Sequence, residues 1–108
     1  MKFGDILLIP FPFSELTSVK ARPAMVIAET KDKYKDIIVA AISSVIPEST
    51  TSNEIIISPS QSNKLKVKSV LKIDRIVTLK KELIIANLGN LDSSSIQKAK
   101  ETFHSLVN

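Results

Sequence analysis

Through the first two thirds of the chain, apolar residues come in short β-branched and aliphatic runs bounded by Pro, Ser, Asn or Asp, and this punctuation constrains the fold most. Such runs have the length of strands and lack the recurring i, i+3, i+4 face of a helix. DILLIP at residues 5–10 opens the pattern. PFPFSELTSVKA then reads as a loop, because its prolines cannot donate to a sheet ladder. RPAMVIAE at 22–29 keeps its ladder donors from Ala24 onward, and its apolar length predicts burial on both faces. KDKYKD turns the chain into a second buried run, IIVAAI at 37–42, so these two central strands are expected to form a hairpin.

Polar residues from Ser43 to Asn53 lead to a short strand at 54–58, and SPSQSN makes another loop. The stretch 64–73 predicts a half-exposed strand, with Lys64, Lys66, Lys68 and Lys72 on one face and Leu65, Val67, Leu71 and Ile73 on the other. Residues 76–79 and 83–88 continue the β pattern, and Gly89-Asn90 supplies a turn. The period then changes. Ile96, Ala99, Phe103, Leu106 and Val107 fall at helical spacing, with Asp92 as N-cap and Leu91 placed to staple onto Ile96. The fold class is mainly β: a strongly bent sheet or small barrel with one C-terminal helix over an opening or edge.

Composition narrows the chemistry. The 108 residues, 44% of them hydrophobic, predict a single domain spanning 1–108 with enough apolar surface for its own core. The longest apolar run, 37–42, is far short of a membrane span, and the N-terminus runs straight into a strand pattern, so neither a span nor a signal peptide is expected. A cytoplasmic location fits the absence of cysteine. No cysteine and one histidine exclude disulfides, thiolate catalysis and the common zinc sites, so no metal or cofactor is expected. The formal charge of +4 suits a polyanion or an acidic protein partner, and equally an ordinary solvated surface.

Arg22 and Arg75 stand against thirteen lysines. A guanidinium at a strand start beside Pro23 is held in a fixed direction, and its planar fork suits two phosphate oxygens better than an ammonium does. The same pair also reads as an exposed charge next to a turn proline. Ser43 and Ser44 stand where an apolar run stops, where a hydroxyl can donate to a phosphate or satisfy loop backbone. Lys72 and Asp74 share a strand face, as an acid–base couple or as a weak ion pair. His104 falls at the edge of the helix core face and is left out of the site. Phe11 and Phe13 can stack on bases or form a hydrophobic lid.

In their order and spacing, GDILLIPF, RPAMVIAE at 22–29, IIVAAISSV at 37–45, SVLKIDRIVTL at 69–79 and the terminal helix resemble the MazF/PemK family of endoribonuclease toxins. The resemblance implies a small SH3-like barrel, usually a homodimer, whose groove takes single-stranded RNA, together with a cognate antitoxin. It also implies metal-independent cleavage by 2′-OH attack, leaving a 2′,3′-cyclic phosphate and a 5′-OH. On matching positions Arg22 neutralises the phosphorane, Ser43 hydrogen-bonds the scissile phosphate and Asp74 is a candidate base. Lys20, Ser44, Lys72 and Arg75 would contact the RNA, and the Lys64, Lys66, Lys68 stripe is a docking face for an antitoxin tail.

Three positions depart from the family pattern. Residues 13–21 lack its His-Glu-Gln stretch, Arg75 replaces a frequent glutamine, and Lys72 replaces an arginine, giving up bidentate phosphate binding. The alternative is a non-catalytic barrel of the same fold that binds RNA or protein. Gyrase poisons of the CcdB type carry a tryptophan-containing tail, whereas this chain has no tryptophan.

Overall fold

The computed structural model describes residues 1–12 and 19–108. Six strands run in chain order as β1 (Asp5–Pro12), β2 (Val19–Glu29), β3 (Ile37–Ser43), β4 (Glu54–Ile57), β5 (Ser69–Leu79) and β6 (Ala86–Asn90), followed by helix α1 (Ser93–Ser105). They form one antiparallel sheet in the order β4-β5-β3-β2-β1-β6. The mainly β class with one terminal helix is as the sequence predicts, and β2 and β3 are the expected central hairpin.

Both faces of this sheet are apolar, which is why β2 and β3 read as unbroken runs rather than alternating ones. One face buries Ile6, Met25, Ala40, Ile42, Leu71 and Ile73, with Leu91 and Ala99 and the half-buried Ile96, Phe103 and Leu106 packed over them. The other buries Leu7, Ile9, Ala24, Val26, Ile37 and Val39 beneath Phe11, Val77, Leu79 and Ile84. A bulge in β5 makes the double core possible. Ala40 and Ala41 are adjacent on β3, yet their partners Ile76 and Lys72 are separated by three residues. An odd insertion reverses the alternation. Leu71 and Ile73 therefore enter the first core, while Val77 and Leu79, of the same parity, enter the second.

Several elements differ from expectation. Phe11 and Pro12 extend β1 instead of beginning a loop, pairing with Lys20 and Val19. Beyond Leu8 no β6 partner flanks β1, so Pro10 and Pro12, two apart, turn their missing donors to the same open side. Phe11 packs on the second core, as a lid residue does; Phe13 lies outside the described residues. Residues 76–79 continue β5 rather than forming a new strand. Lys81–Leu83 is a short 3-10 helix closed by Leu83 N–H to Lys80 O and Ile84 N–H to Lys81 O.

The lysine stripe is not a strand: β5 starts only at Ser69. The buried Asn63 takes over the role of a ladder. Its Oδ1 accepts from Ser60 N–H at 3.0 Å and Leu65 N–H at 2.9 Å, and its Nδ2 donates to Ser58 O at 3.0 Å. Lys64 beside it has φ of 53°, which breaks the extended run. This loop docks on the sheet through Asn90 N–H to Ser62 O at 2.8 Å. Gly89, inside β6 and not in a turn, has φ of 149°, and a Cβ there would stand 1.9 Å from Ser62 O.

Helix α1 begins as expected. Asp92 accepts from Ser95 N–H at 2.7 Å and from the Ser94 hydroxyl at 3.1 Å, and these bonds hold its carboxyl below the usual range. Asn63→Ala leaves three backbone groups without their partner, the Leu65 N–H among them buried. It should lower stability by about 1–3 kcal/mol, measured by urea unfolding, with the loop at 58–68 gaining amide exchange first.

Candidate functional site

Directly opposed residues of an antiparallel pair share a face, so the register shows which side chains meet. One unbroken row crosses five strands: Leu7, Ala24, Ala41, Lys72 and Glu54. The next row is Ile9 with Arg22 on one side, and Ser43, Val70 and Ile56 on the other. The β2–β3 ladder ends at Ala24 and Ala41, and Arg22 and Ser43 each lie two residues beyond it on their own strands. Arg22, Ser43 and Lys72 thus occupy one sheet face just past the end of the second core. Lys20, exposed, follows one alternation beyond Arg22.

Ser43 ends β3 half-buried, and its Oγ accepts from Val45 N–H at 3.1 Å. With that lone pair engaged, its hydroxyl hydrogen remains the group to offer an anion. Ser44, the residue after β3, lines a cavity whose wall also includes Arg22. Lys72 pairs with Glu54 at 3.4 Å, which corrects the expected Lys72–Asp74 couple. The cause is registry: Glu54 is the direct cross-strand partner, whereas Asp74 lies in the β5 bulge. Exposed Asp74 receives only a long bond, 3.5 Å, from Asn53 Nδ2. Arg75, also in the bulge, is exposed. Alternation thus places Arg22, Ser43, Lys72 and Lys20 on one face, with Ser44 just past the end of β3 and Asp74 and Arg75 in the β5 bulge. His104 is exposed on α1, away from this face.

Glu54 is the residue that sequence reasoning misses. Its other oxygen accepts from Thr51 N–H at 2.8 Å, and that bond, followed by Lys72, holds its carboxyl below the usual range. Nothing in a polar loop leading to a short apolar run signals such a role, because the partner is fixed only by strand pairing. Among the described residues, no three His, Cys, Asp or Glu side chains are grouped to hold a metal ion, and no helix is long and apolar enough to cross a membrane.

Residues 2–107 match the model of the PemK-like, MazF-like toxins of type II toxin–antitoxin systems. The chain belongs to this family. Its fold is shared with an endoribonuclease in complex with its cognate antitoxin from a mycobacterial species, at TM-score 0.74 and 14% identity over 99% of this chain and 94% of that one. A second mycobacterial endoribonuclease gives TM-score 0.71 at 15% identity, covering 99% and 90%. The Mycobacterium tuberculosis toxin MazF-mt6 gives TM-score 0.69 at 18% identity, covering 95% of each chain. At these identities the likeness is one of fold. No curated protein sequence matches at a significant level.

The Glu54–Lys72 pair has a pH signature. A carboxylate held below its unfolded value of 4.5 contributes stability that is complete above that pH and is lost as pH falls through the folded value. Glu54→Gln should therefore lower the urea midpoint at neutral pH, and its midpoint should fall less steeply than the wild type's below pH 4.5.

Proposed function

We propose that this MazF-like toxin is a sequence-specific endoribonuclease that cuts single-stranded RNA, messenger RNA in the cell, without a metal cofactor. The ribose 2′-oxygen attacks the adjacent phosphorus and the bond to the 5′-oxygen breaks. The products are a 2′,3′-cyclic phosphate and a 5′-OH; the proton lost at the 2′-oxygen is balanced by the one gained at the leaving oxygen.

One observation carries the reading: Arg22, two residues beyond Ala24 on β2, and Ser43, two beyond Ala41 on β3, share by alternation the sheet face of Lys72, the partner of Ala41. A pentacovalent phosphate gathers negative charge on its non-bridging oxygens, and donors already in position stabilise it without rearranging. Arg22 supplies the bidentate cation, Ser43 a hydroxyl donor and Lys72 a further positive charge, with Lys20, Ser44 and Arg75 as contacts along the strand. Asp74 is the carboxylate offered by the family resemblance as base. Its place in the β5 bulge, outside the ladder with β3, favours Arg22 for contact with the reacting phosphate. The toxin acts in the cytoplasm as a homodimer and is restrained by a cognate antitoxin, as the mycobacterial endoribonuclease of the same fold is bound by its own.

Purified protein incubated with single-stranded RNA and EDTA should leave 2′,3′-cyclic phosphate ends; RNA intact under all conditions, or cut only with added metal, overturns the mechanism. Arg22→Ala should lose at least about a hundredfold in cleavage rate with an unchanged circular dichroism spectrum. Asp74→Asn should stay within about tenfold of the wild type, the range of a group outside direct contact with the phosphate.

A further inference from the structure

The cross-strand neighbours of Lys72 are Ala41 on β3 and Glu54 on β4. A methyl group cannot aim a four-carbon stem, so the direction of the ammonium depends on the other side. There Glu54 Oε2 lies 3.4 Å from Lys72 Nζ, with the glutamate side chain only 11% exposed. The carboxylate is itself fixed: its Oε1 accepts from Thr51 N–H at 2.8 Å, and Glu54 N–H donates to Thr51 O at 3.2 Å. Thr51 is fixed in turn. Its hydroxyl oxygen accepts from Asn53 N–H at 3.2 Å, and Asn53 O accepts from Ile73 N–H at 3.0 Å. Ile73 follows Lys72 on β5, so the chain of bonds closes one residue from where it began.

We propose that Glu54 is a positioning residue, which aims the Lys72 ammonium at the phosphate bound by Arg22 and Ser43. The inference rests on the ribonuclease reading of that face. An ammonium has three donors, and the one engaged by Glu54 leaves two for phosphate oxygens. Without the carboxylate the stem regains rotamer freedom, which must be lost again as charge develops on the phosphorane; a fixed donor needs no rearrangement. Glu54 also works against binding, because its negative charge stands beside a cation that attracts RNA. Its effect on the ground state and on the transition state is therefore opposite in sign. Asp74, exposed in the bulge and reached by Asn53 Nδ2 at 3.5 Å, is not the partner that the fold gives the lysine. A second ion pair, Glu29–Lys81 at 2.9 Å, lies at the end of β2 remote from Arg22 and supplies a control.

The test is steady-state cleavage of a single-stranded RNA by the whole chain, with each variant checked for fold by circular dichroism. Glu54→Gln should lower kcat about tenfold through misplacement of the ammonium. It should also lower KM, by about threefold, the scale of one partly exposed charge. Glu54→Asp keeps the charge but draws it back by one methylene; it should lower kcat with KM within about twofold. In a Lys72→Met background, Glu54→Gln should change neither constant by more than about twofold, because the residue acts through the lysine. In a Lys72→Arg background it should lower kcat by less than about threefold, since a planar fork is ordered by its own geometry. Glu29→Gln should match the wild type. Unchanged kcat in both Glu54 variants overturns the positioning role, and so does an undiminished loss in the Lys72→Met background. If Glu54→Gln does not fold, Glu54→Asp decides on the same terms. A wild type that cuts RNA while these outcomes fail removes the positioning role alone. A wild type that cuts no RNA removes the ribonuclease reading, and the positioning role with it.

Discussion

The three residues inserted into β5 opposite the Ala40–Ala41 step hold the architecture together. A flat sheet with a regular ladder would present Leu71, Ile73, Val77 and Leu79 to the same side. The odd insertion sends the first pair into one core and the second into the other, and it bends the strand between them. A small domain has little volume for one thick core, so sharing a curled sheet between two thin ones lets nearly every central aliphatic side chain be buried. Helix α1, capped by Asp92 and seated through Ala99, Ile96, Phe103 and Leu106, then closes the first core.

That geometry determines where chemistry can gather. The second core stops at Ile9, Ala24 and Val39, and the positions beyond it on the same face are Arg22, Ala41, Ser43 and Lys72. The cations and the hydroxyl therefore sit at the rim of a dry patch, where their attraction for a phosphate is screened less than on an open surface. Glu54 balances Lys72 and is itself held by Thr51, so the lysine's direction is set by a partner instead of by its own flexible stem. An arginine at that position would bring its own planar fork. A lysine has a point charge and benefits more from being steered.

The loop at 58–68 shows how one polar residue can redirect a sequence pattern. Lys64 to Lys68 alternates as a strand does, and alternation alone would place three ammonium groups in a row. Asn63 intervenes by supplying hydrogen bonds that a neighbouring strand would otherwise supply, and Lys64 takes a left-handed conformation. Leu65 is drawn into the first core and Lys66 and Val67 are left around the cavity. The absence of a side chain at Gly89 lets Ser62 come close enough to lock the loop to β6.

Much of this was readable along the chain. The strand-length apolar runs, the central hairpin and the terminal helix with its Asp92 cap all follow from local pattern and from order along the sequence, because hydrophobic period and capping act over a few residues. Family membership follows from that same order. Three things did not: Glu54 as the partner of Lys72, the place of Asp74 in the β5 bulge, and the cavity lined by Arg22. Each depends on which residues face one another across strands, and register is set by the packing of both cores together. A three-residue bulge reverses faces without any local signal, so alternation determined which residues are apolar neighbours within a strand, and only the closed sheet decided which charges meet.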